Sequence, residues 1–224
     1  MKPVWKWQYT VSGLIGLGLM LHFLVLWGGF GPGSYAQSYD AYTHIFFASH
    51  WLQHWWNAFE PRWYTGFSVF TYPPFAHQLV ALPAFGVGLV PAFLGVQTLC
   101  LTALVGGMYR YARIWFDPPV AILSAVLLLF SPALTMTLHL FGQYPNLVSL
   151  ALTLHLLAFV DRFLRDDTPK SVRRASLLLG ELLLICTGFT SLFANFLGVF
   201  FFALPVLIKH WRRTALGRIL VLLT

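Results

Sequence analysis

Charged residues are scarce in this sequence of 224 residues: they make up 9% of it, with 7 acidic and 14 basic side chains. A soluble globular domain carries about 25% charged residues, so this chain has too few of them to cover a water-soluble surface. The 2 cysteines, Cys100 and Cys186, both lie in apolar runs, which argues against a disulfide framework and against a cysteine metal site. Hydrophobic residues make up 58% of the chain, and this composition indicates an integral membrane protein.

Apolar runs long enough to cross a bilayer as helices, which takes about 20 residues, recur along the chain. The first, residues 9–30, follows Lys2 and Lys6 and exceeds the core of a cleaved signal peptide, so we expect a retained anchor. Later runs predict spans at residues 91–112, 118–136, 144–160, 175–189, 191–208 and from 216 onwards. Because the last run ends at Thr224, the sequence is expected to be part of a longer protein. The prediction is an all-α transmembrane module of about seven helices.

The lysines and arginines predict the orientation, because they are enriched in the cytoplasmic loops of membrane proteins. If residues 76–90 crossed the membrane, every basic residue from Arg110 to Arg218 would lie outside while the N-terminus lay inside. If these residues form a re-entrant or interfacial helix instead, all of them lie inside with Lys2 and Lys6, and Arg62 alone stays outside. The second arrangement predicts a multi-pass plasma-membrane protein with a cytoplasmic N-terminus.

The predicted organisation is a single transmembrane module over residues 1–224. Residues 9–30 form the first span, 31–75 a long external loop with juxtamembrane helices, 76–90 the re-entrant or interfacial helix, and 91–224 the remaining spans. A short cytoplasmic loop turns at Asp166-Asp167-Thr168-Pro169. Ionisable and aromatic residues concentrate in the external loop, so chemistry is expected there.

Asp40 and Glu60 are the two carboxylates of the predicted external loop. If a helix starts near Asp40, His44 follows one turn later on the same face. For Asp40 the structural alternative is capping of that helix, and for Glu60 it is an ion pair with Arg62. The tryptophans of the loop are also typical of a membrane interface.

Further polar and aromatic residues fall on the same predicted side of the membrane. They are His54, Trp63, Tyr64 and Tyr72 in the loop, His77 after it, and His139 and Gln143 between two later spans. The spacing of His50 and His54 is a weak metal signal, because no compact ligand set accompanies it. No metal ligand is assigned.

The order of motifs along the chain resembles a known family. After one N-terminal span come Asp40-x-x-x-His44, Pro61-Arg62-Trp63, Gly66, Tyr72-Pro73-Pro74 and the turn Gly142-Gln143-Tyr144-Pro145. This order is similar to the N-terminal half of GT-C-type polytopic membrane glycosyltransferases, most closely to the membrane family labelled "6-pyruvoyl-tetrahydropterin synthase-related". Many members of the wider superfamily have two adjacent acidic residues, whereas Asp40 follows Tyr39. No cofactor is therefore assigned, and dependence on a divalent metal ion stays open.

The resemblance implies an inverting transfer of a sugar from a polyprenyl-phosphate donor to a glycan, lipid or protein acceptor on the extracytoplasmic side. Asp40 would be the general base, and His44 and Glu60 are the other catalytic candidates. Arg62 would hold the donor phosphate. The other candidate substrate-binding residues are His54, Trp63, Tyr64, Tyr72, His77, His139 and Gln143. Expected partners are membrane lipid, donor and acceptor, and no nucleic acid, because the basic residues form short clusters between apolar runs.

Two other classes of protein fit the same composition. A transporter or flippase of a lipid-linked or polar substrate would use midplane residues such as Glu181, His22 and His155. A non-catalytic membrane scaffold with a glycosyltransferase-like fold would tolerate loss of the loop residues and of the midplane residues. Essential loop residues favour the enzyme, and essential midplane residues favour the transporter.

Overall fold

A computed structural model describes residues 4–29, 31–63, 65–69, 72, 74–165, 168–188 and 190–210. Its helices are α1 (Val4–Trp27), α2 (Ala41–Gln53), α3 (Pro74–Val87), α4 (Leu89–Ala112), α5 (Pro118–Leu129), α6 (Pro132–Thr135), α7 (Tyr144–Leu164), α8 (Lys170–Gly188), α9 (Leu192–Gly198) and α10 (Leu204–His210). A 3-10 turn covers Ser34–Ala36, and π-helical turns cover Met136–Leu140 and Val199–Ala203. About 79% of the structure is helical, which confirms the all-α prediction.

The loop between α2 and α3, which the sequence predicts to be external, contains the one described sheet. Its strands β1 (Phe59–Glu60) and β2 (Phe67–Ser68) pair antiparallel, with Phe59 opposite Ser68 and Glu60 opposite Phe67. This small hairpin closes the loop between α2 and α3, so the loop is ordered there by backbone hydrogen bonds.

Three described helices are long and apolar enough to cross a membrane: Tyr9–Trp27 within α1, and the whole of α4 and α7. A fourth candidate is broken, because Pro118–Leu129 and Pro132–Leu140 meet at 44°. The break lies where Pro132 lacks a backbone N–H and the Ser131 hydroxyl accepts from Leu134 N at 3.2 Å, which starts a new helix. These helices are consistent with a membrane protein.

The other predicted spans differ from the described helices. Residues 175–189 fall largely in α8, whose four charges at Lys170, Arg173, Arg174 and Glu181 lower its apolar character. The helical stretch Ala194–His210 is a shorter apolar helix, and residues 216–224 lie outside the described part of the chain. The structure thus provides three or four candidate spans, and the number seven stays a prediction.

Helices α4 and α7 form the centre of the fold. They pack against each other, α3 and α5 flank α4, α8 packs on α7, and α2 packs on α3. Gly107 of α4 permits the central contact, since a Cβ there would lie 3.1 Å from the Leu154 Cβ. Small residues of this kind allow membrane helices to approach closely.

Helix α3 is 14 residues long, which gives about 21 Å, shorter than the roughly 30 Å hydrocarbon core. It ends at Val87, and the next residue, Gly88, has a φ of 83° that lets the chain turn directly into α4. Its buried side chains face α2 and α4, so the helix is part of the packed protein. This length fits a segment that does not cross the membrane, and the orientation of the chain stays a prediction.

Candidate functional site

Asp40 is positioned by a turn that lies about 100 residues later in the chain. The backbone N–H of Asp40 donates to the Phe141 carbonyl at 3.1 Å, and the N–H of Tyr39 donates to the Leu140 carbonyl at 3.1 Å. Gly142 makes this close approach possible, because its φ is 65° and a Cβ there would lie 2.6 Å from the Ser38 hydroxyl oxygen. Two motifs of the sequence, the loop aspartate and the Gly-Gln-Tyr-Pro turn, are therefore in direct contact.

The Asp40 carboxylate does not cap α2, although the helix begins at the next residue. The Ser38 hydroxyl instead accepts from Ala41 N at 3.3 Å, so the first N–H of the helix is satisfied without Asp40. The half-buried Asp40 side chain makes no hydrogen bond or ion pair with another described residue. Capping therefore does not explain the aspartate, and its carboxylate is available to a ligand.

His44 lies on α2 one turn after Asp40, as the spacing predicts, but its ring bonds elsewhere. His44 Nδ1 lies 3.1 Å from His77 Nε2, and both rings are buried. The edge of the Tyr144 ring packs on His44, and the Tyr144 hydroxyl donates to the Ala76 carbonyl at 2.8 Å. Burial lowers the pKa of His44 to about 4, so the imidazole is neutral at pH 7. A neutral His44 ring brings no positive charge to a donor phosphate at this pH, and its role as a catalytic residue stays a prediction.

Glu60 is completely buried, and both of its oxygens are fully bonded. Oε1 accepts from the backbone N–H and Nε of Arg62, at 2.7 and 2.8 Å. Oε2 accepts from Arg62 Nη2 at 2.7 Å and from His50 Nδ1 at 2.9 Å. His50 Nε2 lies 2.6 Å from the Asn57 carbonyl, so both ring nitrogens face acceptors and both bonds form only when both carry a proton. We call these residues, His50, Glu60 and Arg62, the loop cluster.

The loop cluster favours the structural alternative for Glu60 and Arg62. The hydrogen bond from the Arg62 side chain is the main reason that the pKa of Glu60 is lowered to about 2. A carboxylate that binds protons so weakly is a poor general base near neutral pH. The Arg62 guanidinium also lies 4.9 Å from the centre of the Phe46 ring, yet its side chain is 43% exposed. Phosphate binding by Arg62 stays a prediction. Only the exposed edge of the guanidinium is free to contact a phosphate.

The aromatic candidates of the loop cover a small hydrophobic cluster rather than lining one cleft. Trp63 is half-buried and stacks on Phe47 with ring centres 5.7 Å apart. Tyr72 packs on the same ring at 4.7 Å and is 46% exposed. His54 is exposed at the end of α2, with its ring 5.5 Å from that of His50. Tyr64 lies outside the described residues.

His139 belongs to a separate chain of hydrogen bonds that no pattern in the sequence indicates. His139 Nε2 lies 2.7 Å from His22 Nδ1, and His22 Nε2 lies 2.8 Å from the Leu129 carbonyl. His139 Nδ1 lies 2.9 Å from the Ser34 hydroxyl oxygen. Because the Leu129 carbonyl only accepts, neutral rings fix the donor order as Ser34 to His139 to His22 to Leu129. The π-helical turn that carries His139 is a known mark of functional sites, but it is not visible in the sequence.

Gln143 lies at the polar end of an apolar cavity of about 360 Å³. The cavity lies between α4, the broken span, α7 and α9, and its walls include Leu104, Leu147 and Phe201. The Gln143 Oε1 atom accepts from Asn146 Nδ2 at 2.8 Å, and Asn146 Oδ1 accepts from the Ser191 hydroxyl at 2.6 Å. Gln143 follows Phe141 by two residues, so this cavity begins beside the turn that positions Asp40.

Among the described residues, no group of three or more histidine, cysteine, aspartate or glutamate side chains could hold a metal ion. The fold is all-α, and its candidate spans are consistent with a membrane protein. No protein-family model matches the chain, and no match was found among curated proteins or among solved structures.

Proposed function

We propose that this chain is the membrane module of a glycosyltransferase that takes a sugar from a polyprenyl-phosphate donor, with Asp40 as the general base. The order of sequence motifs suggested this class of enzyme. The observation that best supports it is the carboxylate of Asp40, which has no described partner and lies beside the turn that opens onto the apolar cavity. A lipid-linked substrate needs an apolar site for its tail next to a polar site for its head.

The cavity beside Gln143 suits part of an isoprenoid tail. Its leucine walls belong partly to α4, α7 and the broken span, which are candidate spans, so a lipid chain could enter from the bilayer. At the polar end, the N–H groups of the Gln143 amide bond to no described residue and are available to a phosphate or sugar oxygen. Gln143 thus supports donor binding better than the loop cluster does.

The proposed reaction is a single displacement. The Asp40 carboxylate accepts the proton of an acceptor hydroxyl while the hydroxyl oxygen attacks the anomeric carbon of the donor sugar. The bond between that carbon and the phosphate oxygen breaks, and the polyprenyl phosphate leaves with the electron pair. Hydrogen-bond donors near the leaving phosphate, such as the Gln143 amide, stabilise its charge.

Substitution of Asp40 tests the proposal. Asp40→Asn keeps the size of the side chain and removes its basicity, so transfer from a polyprenyl-phosphate sugar should fall by about 10²–10⁴-fold. Thermal stability in detergent should stay unchanged, because the carboxylate bonds to no described residue. Asp117→Asn is the matched control, because it makes the same change at an exposed aspartate whose side chain makes no cap hydrogen bond, and it should leave the rate of transfer unchanged. Transfer by Asp40→Asn at close to the wild-type rate would refute the assignment.

A transporter or flippase is the second candidate, and the broken span favours it. Transporters place interrupted helices and polar residues at their substrate path, and the 44° bend lies close to the His22–His139 pair. For a transporter, His22→Ala and His139→Ala should abolish movement of a lipid-linked substrate across vesicles, whereas Asp40→Asn should be tolerated. A glycosyltransferase should instead lose activity in Asp40→Asn and tolerate His22→Ala and His139→Ala.

A further inference from the structure

Two largely exposed tyrosines stand on either side of Asp40 in the chain. Tyr39 is 75% exposed and Tyr42 is 58% exposed. The fold nevertheless fixes the backbone of both residues, because the N–H of Tyr39 donates to the Leu140 carbonyl at 3.1 Å and Tyr42 lies in the first turn of α2. We call Tyr39, Asp40 and Tyr42 the tyrosine site. The reaction proposed for Asp40 leaves the two tyrosines without a role.

Each exposed tyrosine ring is supported by a second aromatic ring. Tyr39 stacks on Phe141, with ring centres 6.0 Å apart and an angle of 27° between the ring planes. Tyr42 meets the Tyr35 ring edge-on, with ring centres 6.3 Å apart and an angle of 61°. A tyrosine side chain has only two torsions, so a supported ring offers a rigid surface to a ligand at little cost in conformational entropy. The two rings are therefore preorganised for contact with a ligand.

The tyrosine site also contains three polar groups that are available to a ligand. Neither tyrosine hydroxyl makes a hydrogen bond to a described residue, and the Asp40 carboxylate makes none either. A hydroxyl both donates and accepts a hydrogen bond, whereas an ionised carboxylate only accepts. A ligand that matches the site therefore needs an apolar face for the rings and hydroxyl or N–H groups for the carboxylate.

The Asp40 carboxylate argues against a lipid tail as the occupant of the tyrosine site. An ionised side chain is costly in the hydrocarbon core, so the start of α2 is expected at the aqueous boundary of a membrane or beyond it. A lipid tail on the two rings would bury the carboxylate and the hydroxyls without a hydrogen-bond partner, and each such group is costly to bury. The site therefore suits a ligand that is itself polar at its edges.

We propose that the tyrosine site binds a pyranose ring of a saccharide acceptor, which rests on the transferase reaction proposed for Asp40. The C–H face of a pyranose packs on an aromatic ring, and its hydroxyls donate to a carboxylate and to tyrosine oxygens. During transfer the attacking hydroxyl gives its proton to Asp40, so the acceptor ring lies directly beside this residue. Among glycan, lipid and protein acceptors, the two rings favour a glycan.

Saturation-transfer difference NMR measures saccharide binding without any catalysis. The protein is placed in phosphatidylcholine nanodiscs, because glucoside and maltoside detergents would compete for the site. The probes are cellotriose, galactotriose and mannotriose, and sorbitol is the comparison because it has hydroxyls but no ring. One or more of the trisaccharides should bind, with the strongest signals from ring C–H protons, and sorbitol should not bind. Absence of binding by all of the trisaccharides would overturn the proposal.

Removal of either tyrosine ring should weaken this binding. Tyr39→Ala and Tyr42→Ala should each weaken it about 10-fold, the size of one aromatic contact, whereas Tyr39→Phe/Tyr42→Phe keeps both rings and should bind more tightly than either alanine variant. Trp56→Ala is the matched control, because Trp56 is 92% exposed and lies beyond the far end of the 13-residue α2, about 20 Å away. An equal loss in Trp56→Ala would show unspecific aromatic contacts and would contradict the proposal.

Asp40→Asn separates saccharide binding from sugar transfer. This variant should lose transfer and still bind the trisaccharide, because both rings remain and the amide oxygen still accepts a hydrogen bond. In the active protein, Tyr39→Ala and Tyr42→Ala should raise the KM for the saccharide acceptor and leave kcat and the KM for the donor unchanged. Ring-dependent binding by a protein that transfers no sugar would support the tyrosine site and contradict the transferase. Transfer to a lipid or peptide hydroxyl that both alanine variants retain would support the transferase and overturn the tyrosine site.

Discussion

The loop cluster gives a prediction that separates a structural role of Arg62 from donor binding. The perturbation is a double-mutant cycle with Glu60→Ala, Arg62→Ala and the pair together. Arg62→Ala removes two side-chain bonds from Glu60, those from Nε and Nη2, and leaves the bonds from the backbone N–H and from His50. Glu60→Ala removes the acceptor of all four bonds and leaves the buried His50 Nδ1 without the carboxylate oxygen that it contacts.

The magnitudes follow from these contacts. Hydrogen bonds to charged groups contribute about 1.5–3 kcal/mol each, but the Arg62 side chain is 43% exposed, so solvent screening reduces its part to about 2 kcal/mol. Glu60→Ala should cost about 3–4 kcal/mol, because it also leaves a buried donor unpaired. The double variant should cost no more than Glu60→Ala alone, since Arg62 then has no carboxylate to bind. The coupling energy is therefore about 2 kcal/mol.

Hydrogen–deuterium exchange of the β1–β2 hairpin measures this effect, because exchange reports local opening of the loop. Each 1.4 kcal/mol changes the exchange rate tenfold, so Arg62→Ala should speed exchange about 30-fold and Glu60→Ala a few hundred-fold. Amides in the centre of α4 provide the control and should not change. If the two single effects add in the double variant, Arg62 has a role outside the cluster and the structural reasoning fails. Weaker binding of the lipid-phosphate donor in Arg62→Ala, and not in Glu60→Ala, would then favour phosphate binding.

Three further predictions concern pH and one glycine. Because the folded-state pKa of Glu60 is lowered from 4.5 to about 2, the stabilisation by its carboxylate is complete above pH 4.5 and is lost as the pH falls toward 2; Glu60→Gln should remove this part of the pH dependence of hairpin exchange. Burial lowers the pKa of His44 from 6.5 to about 4, so thermal stability should decrease as the pH is lowered from 6.5 to 4, where the unfolded chain binds a proton that the folded chain does not. His44→Gln should remove this part of the pH dependence. Gly142→Ala should cost about 1–3 kcal/mol of unfolding free energy, because φ there is 65° and the added Cβ meets Ser38. It should also reduce sugar transfer about 10²-fold by moving Asp40, whereas Gly95→Ala, where nothing lies within 4 Å of the new Cβ, should do neither.

The long apolar helices could be predicted from the sequence, because their length and composition depend on neighbouring residues. The predicted spans at residues 91–112 and 144–160 correspond to Leu89–Ala112 and Tyr144–Leu164 in the structure. The helical spacing of Asp40 and His44 was also predictable, since α2 begins at Ala41. The helix at residues 175–189 was harder to predict. Its charged start lies before the apolar window, yet it belongs to the same helix, α8.

The partners of the site residues could not be predicted, because they come from distant segments. The spacing that brings His44 and Asp40 to one helix face says nothing about α3, which supplies His77 to the His44 ring. The chain from Ser34 through His139 to His22 joins three segments, and no periodicity within one segment contains it. The pairing of Glu60 with Arg62 was foreseen as an alternative because only Pro61 separates them.

The contact between Asp40 and Phe141 has a consequence for the order in which the protein is made. The loop cluster needs only residues from His50 to Arg62, so it can form soon after the ribosome has produced the first loop. The backbone that positions Asp40 follows about 100 residues later, which takes about 5–20 s at usual rates of synthesis. During that interval the nascent chain holds an ordered loop and an aspartate without its supporting turn. The backbone contact at Asp40 therefore forms only after Leu140 and Phe141 have been synthesised, whereas the loop cluster does not depend on them.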